Sequence, residues 1–151
     1  MKNYFRTVSV MAFLAFASCQ QKTDLHTEHN AAIKKAVEDQ YLKLISALNK
    51  LDFNALSDNF SKDDFNSALI GEKYLSSYIV WKDSVSNWLS KREHQQITLA
   101  EISVKPLTAE LALLTSTTDW DIRFKYGEQR KMKMCMSVLW KKERCSWKIV
   151  H

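Results

Sequence analysis

Apolar residues fall into three spacing regimes along this chain, and each predicts a different kind of element. A nearly unbroken run, Val8 to Ala17, comes first. From Ile33 the spacing is helical. Ile33, Val37, Tyr41, Leu44, Leu48 and Leu51 form a stripe, with Lys34, Lys35, Glu38, Lys43 and Lys50 off it. That predicts an amphipathic helix over 30–49. Asp52 reads as the cap of a short second helix carrying Phe53, Leu56 and Phe60. Asp63-Asp64 and Gly71 bracket a short strand, Phe65 to Ile70, and another follows near Tyr74. Ser77 then caps a third helix reaching about Arg92, with Trp81, Val85, Trp88 and Leu89 on one side.

From Gln95 the period changes to two. Strands are predicted at Ile97 to Val104, ended by Pro106, and at Glu110 to Phe124, turning at Tyr126-Gly127-Glu128. Gln129 to Trp140 alternates Met132, Met134, Met136, Val138 and Trp140 against Lys131, Lys133, Cys135, Ser137 and Leu139. The last strand, Cys145 to His151, puts Trp147 and Ile149 on the apolar side. Such alternation belongs to antiparallel strands with one face on a core and one near water. Helices followed by long antiparallel strands make an α+β chain. With 2 Gly and 1 Pro in 151 residues, long regular elements with few elaborate loops are expected.

The first regime is too short for a membrane span, which needs roughly 20 apolar residues. Lys2 and Arg6 precede it and Ser18-Cys19 close it, the order of an export signal. Phe16-Ala17-Ser18-Cys19 resembles a bacterial lipobox, with Phe16 where that motif prefers Leu. The resemblance implies cleavage before Cys19 and a lipid on its sulfur. Ala15-Phe16-Ala17 also fits ordinary signal peptidase, which would leave a soluble protein starting at Ser18. The domains expected are thus a signal at 1–18, a polar tether at 19–29 and a folded domain at 30–151. Gln20 after the cysteine, by similarity to Gram-negative sorting rules, implies the outer membrane, facing the periplasm or exterior.

Charge changes the picture little. The formal charge of +5 falls to about +3 when Lys2 and Arg6 leave with the signal. Nine of the basic residues lie between Arg123 and Lys148, beside only Glu128 and Glu143. An exported protein rarely meets nucleic acid, so this stretch reads as a solvated sheet face able to rest on anionic headgroups. With Cys19 assigned to lipid, Cys135 and Cys145 remain. A hairpin turning at Lys141 to Arg144 pairs Trp140 with Cys145 and sets Cys135 opposite Val150, too far apart for a disulfide.

Thr108-Ala109-Glu110-Leu111-Ala112-Leu113-Leu114-Thr115, then Val138-Leu139-Trp140-Lys141-Lys142 and Trp147-Lys148-Ile149-Val150-His151, resemble the C-terminal strands of the nuclear transport factor 2-like superfamily, which includes SnoaL-like and ketosteroid isomerase-like proteins. The resemblance covers 30–151 and implies three N-terminal helices packed in a strongly curved antiparallel sheet, a cone of cystatin-like type with an apolar pocket at its open end. If the Met132 face lines the cone, the pocket residues are Tyr41, Trp81, Trp88, Thr118, Trp120, Met134, Met136 and Trp147, with Ser116 beside them. Large aromatics, soft methionines and a few hydroxyls suit a small apolar ligand.

Catalysis in that superfamily uses an acid or His inside the pocket. If Trp120 points in, alternation sends Asp119 and Asp121 out. Asp119 and His94 are thus weak catalytic candidates, and the domain is expected to bind a small molecule without catalysis, more a binder than an enzyme. The alternatives are an isomerase or cyclase of the ketosteroid isomerase-like class, and a module that forms a homodimer through the outer sheet face. His26, Glu28 and His29 in the tether make a weak metal set. No P-loop, nucleophile elbow, zinc motif or dinucleotide fingerprint occurs, so neither cofactor nor metal is expected.

Overall fold

The computed structural model describes residues 4–70 and 72–151, with side chains from Thr27 onward. Helix α1 spans Tyr4–Asn49, and so already includes Thr27 to His29, ahead of Asn30, its expected start. The signal, Cys19 and His26 fall where side chains lie outside the described residues. No helix among the described residues is long and apolar enough to cross a membrane.

The stripe of α1 is buried at Ile33, Val37, Tyr41, Leu44 and Leu48. The helix stops in a Schellman arrangement. Leu51 takes the left-handed position at φ 53°, its N–H donating to Leu48 O and that of Asp52 to Ala47 O. Asp52 then caps α2 (Phe53–Ser57) through the Ala55 N–H. A two-stranded hairpin follows, β1 (Ala68–Ile70) with β2 (Lys73–Leu75). Helix α3 (Tyr78–Ser90) is capped by Ser77, whose side chain accepts from Val80 N–H.

Four antiparallel strands complete the domain: β3 (Arg92–Pro106), β4 (Leu111–Phe124), β5 (Gln129–Glu143) and β6 (Ser146–Ile149), in the order β3-β4-β5-β6. The α+β class stands, but the expected cone does not form. Each strand pairs only with its sequence neighbours and β6, met beyond them only by the Phe60 bridge, does not reach β3, so the sheet is open, neither closed nor strongly curled. The short hairpin is a separate sheet and extends neither edge. Register shifts occur in edge strand β3, at Arg92/His94 and Leu99/Glu101, whereas curling a whole sheet requires such kinks across its strands.

Alternation fixes the faces. Ala112, Leu114, Ser116, Thr118, Trp120, Ile122 and Phe124 of β4 are all buried toward the helices. Helix α1 packs chiefly on β3 of this inner face. The closing hairpin differs from expectation: Trp140 pairs with Ile149 and Glu143 with Ser146. The turn is therefore the two residues Arg144 and Cys145, with Arg144 at φ 52°, the left-handed geometry that two-residue hairpins favour. Cys145 sits in that turn and Cys135 lies opposite Thr117, and both are exposed free thiols. His151 is held at the chain end. Its carbonyl accepts from Leu139 N–H at 2.7 Å and its ring lies 3.0 Å from Ser67 Oγ.

Candidate functional site

The eight aromatic, Met and Thr positions read from the sequence all lie toward the helix side, but they divide into separate groups. Trp81 sits in an aromatic cluster with Phe53, Phe60, Phe65 and Tyr78. Phe60 is bridged to Ile149 of β6, so this cluster belongs to the β6 end. Trp147 is buried on β6 opposite Lys142. The others gather around the middle of β4. Trp88 of α3 packs on Trp120, ring centroids 5.9 Å apart. Thr118 pairs with Met134 and Ser116 with Met136 across β4 and β5. Trp88, Met134 and Met136 are half-buried where Tyr41, Thr118 and Trp120 are buried. The inner face is thus partly exposed on its methionine side.

Three hydroxyls lie in this otherwise apolar patch. Tyr41 Oη is 2.6 Å from Ser116 Oγ, a buried pair joining α1 to β4. The Thr118 hydroxyl accepts from the Trp120 indole N–H at 2.7 Å. Burial pushes the Tyr41 phenol above its ordinary pKa, against a smaller opposing effect of the Ser116 hydrogen bond. Tyr41 is therefore protonated at neutral pH and able to donate.

Sequence reasoning missed Arg92, which it took only as the approximate end of α3. Lys91 caps that helix, and Arg92 opens β3 with 2% of its surface exposed. An extra residue in β3 decides where it points. Arg92 pairs with Phe124 but His94 with Arg123, so the irregularity between them sends Arg92 inward and His94 outward. The guanidinium carbon stands 3.1 Å from the Trp88 ring centroid and 5.6 Å from that of Trp120. Nε and Nη1 are buried without a hydrogen-bond partner, and no carboxylate among the described residues pairs with the group. The Trp88-x-x-x-Arg92 spacing, one helical turn apart, was the available signal.

An unpaired buried cation costs several kcal/mol, while stacking on an aromatic ring returns about 2 kcal/mol. The balance is unfavourable, and burial lowers the Arg92 pKa to about 9. The folded value lies below the unfolded one, so the unfolded chain binds more protons between the two. The penalty is present in full below pH about 9 and is relieved only as pH rises past it. Nearby, Gln95 donates to Leu48 O at 2.9 Å and leaves its own Oε1 unpartnered.

The acids and histidine lie on the other face. Asp119 pairs with Lys133 at 3.9 Å. Asp121 accepts from Gln129 at 2.7 Å and pairs with Lys131 at 3.3 Å, contacts that hold its carboxyl below the ordinary range. His94 is exposed beside them. An open groove of about 480 Å³ also lies on this outer face, lined by Glu101, Ser103, Thr115, Thr117, Cys135 and Ser137. Of the eight expected pocket residues only Met136 borders it, together with the adjoining Ser116 and with Ile102. The unpartnered nitrogens of Arg92 and the burial-shifted Tyr41 lie inside instead, so chemistry points to the inner face. Among the described residues no group of three or more His, Cys, Asp and Glu is placed to hold a metal.

The SnoaL-like domain family matches residues 37–151. This chain belongs to that family. The SnoaL-like domain is similar in structure to a candidate scytalone dehydratase from Novosphingobium aromaticivorans, at 13% identity and a TM-score of 0.74, covering 82% of this chain and 83% of that one. A nuclear transport factor 2-like superfamily protein from Salmonella enterica serovar Typhimurium matches at 13% identity and TM-score 0.73, over 80% and 88% of the two chains. A hexachlorocyclohexane dehydrochlorinase matches at 11% identity and TM-score 0.64, over 77% and 79%. No curated protein matches the chain in sequence. At these identities the likeness is one of fold. It does correct one expectation. Domains of this build include enzymes, so the lack of an inward acid is no ground for reading the SnoaL-like domain as a binder rather than an enzyme.

Proposed function

We propose that this SnoaL-like domain is an enzyme of the isomerase or lyase kind, acting on a small, flat, largely apolar molecule at an oxygen held by Tyr41. The observation that carries the reading is the buried Tyr41–Ser116 hydroxyl pair, 2.6 Å apart in apolar surroundings. A protonated phenol fixed in a water-poor site is a preorganised donor to a carbonyl becoming an enolate, or to a departing hydroxyl. Its partner Ser116 orients it from β4, so the donor does not have to reorganise as charge develops. The half-buried Trp88, Met134 and Met136 form the entrance, and the flexible methionines adapt to the ligand body. With Asp119 and Asp121 held by lysines outside, Tyr41 is the oxyanion donor of this reading, and the α-proton passes to solvent base. The dehydratase-like and dehydrochlorinase relatives, both named for eliminations, support the lyase side of this reading.

The test is solvent exchange. The full chain in detergent, incubated in D2O with β,γ-unsaturated cyclic ketones and β-hydroxy aryl ketones, is expected to speed deuterium entry at the α-carbon, read by proton NMR. A panel showing no rate above detergent buffer would count against the enzyme.

We further propose that the enzyme is exported and held in the cell envelope by a lipid on Cys19. The support is the order of charge, apolar run and cysteine in residues 1–19. Labelled palmitate should enter the chain expressed in a Gram-negative host and be lost in Cys19→Ala. An unlabelled wild-type chain would remove the anchor.

A further inference from the structure

Arg92 is the least satisfied group in the described fold. It is nearly fully buried, stacked on Trp88, and without hydrogen bond or counter-ion among the described residues. A structural arginine in such a place is ordinarily completed by a carboxylate from its own chain. This one is not, although Glu93 stands next to it in sequence: the start of β3 turns Arg92 inward and leaves Glu93 exposed.

We propose that Arg92 is an anion-recognition group of the inner face, taking the carboxylate of a small molecule whose flat body lies near Trp88 and Trp120. The assignment rests on the reading of the inner face as the ligand site and narrows it to a substrate class, small carboxylates with an aromatic or planar apolar body.

The geometry fits that chemistry. A guanidinium lying on a ring keeps its edges free, and carboxylates bind guanidinium edges in plane, two oxygens to two nitrogens. Either edge that includes Nη2 also carries one of the unpartnered nitrogens, Nε or Nη1. A bound carboxylate thus satisfies a buried donor and supplies the missing counter-charge in one contact. The indole of Trp88 stacks on the cation and that of Trp120 stands to one side, so both offer apolar surface beside it. Gln95 Oε1, the orphan acceptor three residues along β3, is available to a hydroxyl or amide donor on such a ligand. Stacking also explains why arginine stands here: a lysine ammonium would offer neither planar stacking nor the fork.

The experiment titrates sodium benzoate and its neutral isostere benzamide into the full chain by calorimetry, in matched detergent. Benzoate is expected to bind about tenfold or more tightly than benzamide. Arg92→Met should abolish that preference while leaving benzamide within about twofold of its wild-type affinity. Arg92→Lys should keep part of the preference, since charge remains but the fork is lost. Equal affinity for the two probes in the wild-type chain, or an undiminished preference in Arg92→Met, overturns the anion assignment and leaves the apolar site standing. Binding of neither probe overturns both. Should Arg92→Met not fold, the wild-type comparison and Arg92→Lys decide the question.

Discussion

Trp81→Ala is expected to destabilise the domain by about 3–5 kcal/mol, the range for removing a buried Trp or Phe side chain. Trp81 is 2% exposed and is the hub of its aromatic cluster. Its ring lies 3.9 Å from that of Phe60, 5.6 Å from Tyr78, 6.0 Å from Phe65 and 6.3 Å from Phe53. Phe53 belongs to α2 and Tyr78 to α3. Phe60 pairs with Ile149 of β6. Truncation therefore opens a cavity where two helices and the shortest edge strand meet. Aromatic pairs add about 0.5–1.5 kcal/mol each beyond area burial, so Trp81→Phe should recover more than half of the loss. Against a typical domain stability of about 5–15 kcal/mol, the Ala variant loses a large share. Urea unfolding of the full chain in detergent measures it, and a loss below about 1 kcal/mol would mean that the cluster is not a structural joint.

That cluster also shows where sequence patterns stop informing. Periodicity put Trp81 and Trp88 on one side of α3, which they occupy, but not on which neighbours each would meet. Seven residues along a helix are about 10 Å, enough to send one tryptophan to β6 and the other to β4. The local signals were legible because their physics is local. The Asp52 and Ser77 caps, the alternation along β4 and β5, and the outward Asp119 and Asp121 each depend on a few adjacent residues. Register and shape were not. The closing hairpin turns at Arg144 and Cys145, where the sequence offers no Gly or Asn to announce a positive φ. Sheet closure depends on which edges meet, which no strand encodes by itself. Arg92 was hidden for a related reason. A charged residue after a helix reads as solvated, and only the extra residue in β3 turns it inward.

The second large effect concerns turnover. Tyr41→Phe should lower the rate on any substrate of the wild-type enzyme about 10²-fold, the usual loss when one preorganised oxyanion donor is removed. Stability should change far less, about 1 kcal/mol, because a single hydrogen bond is lost while the ring still fills its place. Two further variants distinguish the phenol from its surroundings. Ser116→Ala removes the partner but leaves the donor, and should cost less in rate than Tyr41→Phe. Asp119→Asn alters a carboxylate on the outer face and should leave turnover unchanged. The pH profile carries a sign as well. Burial raises the Tyr41 pKa from 10.0, so the folded protein keeps that proton where an exposed tyrosine would lose it. The rate should therefore show no fall assignable to Tyr41 between neutral pH and about 10. A Tyr41→Phe enzyme with full turnover, or a rate that collapses near pH 8 through loss of the phenolic proton, would remove Tyr41 from the reaction.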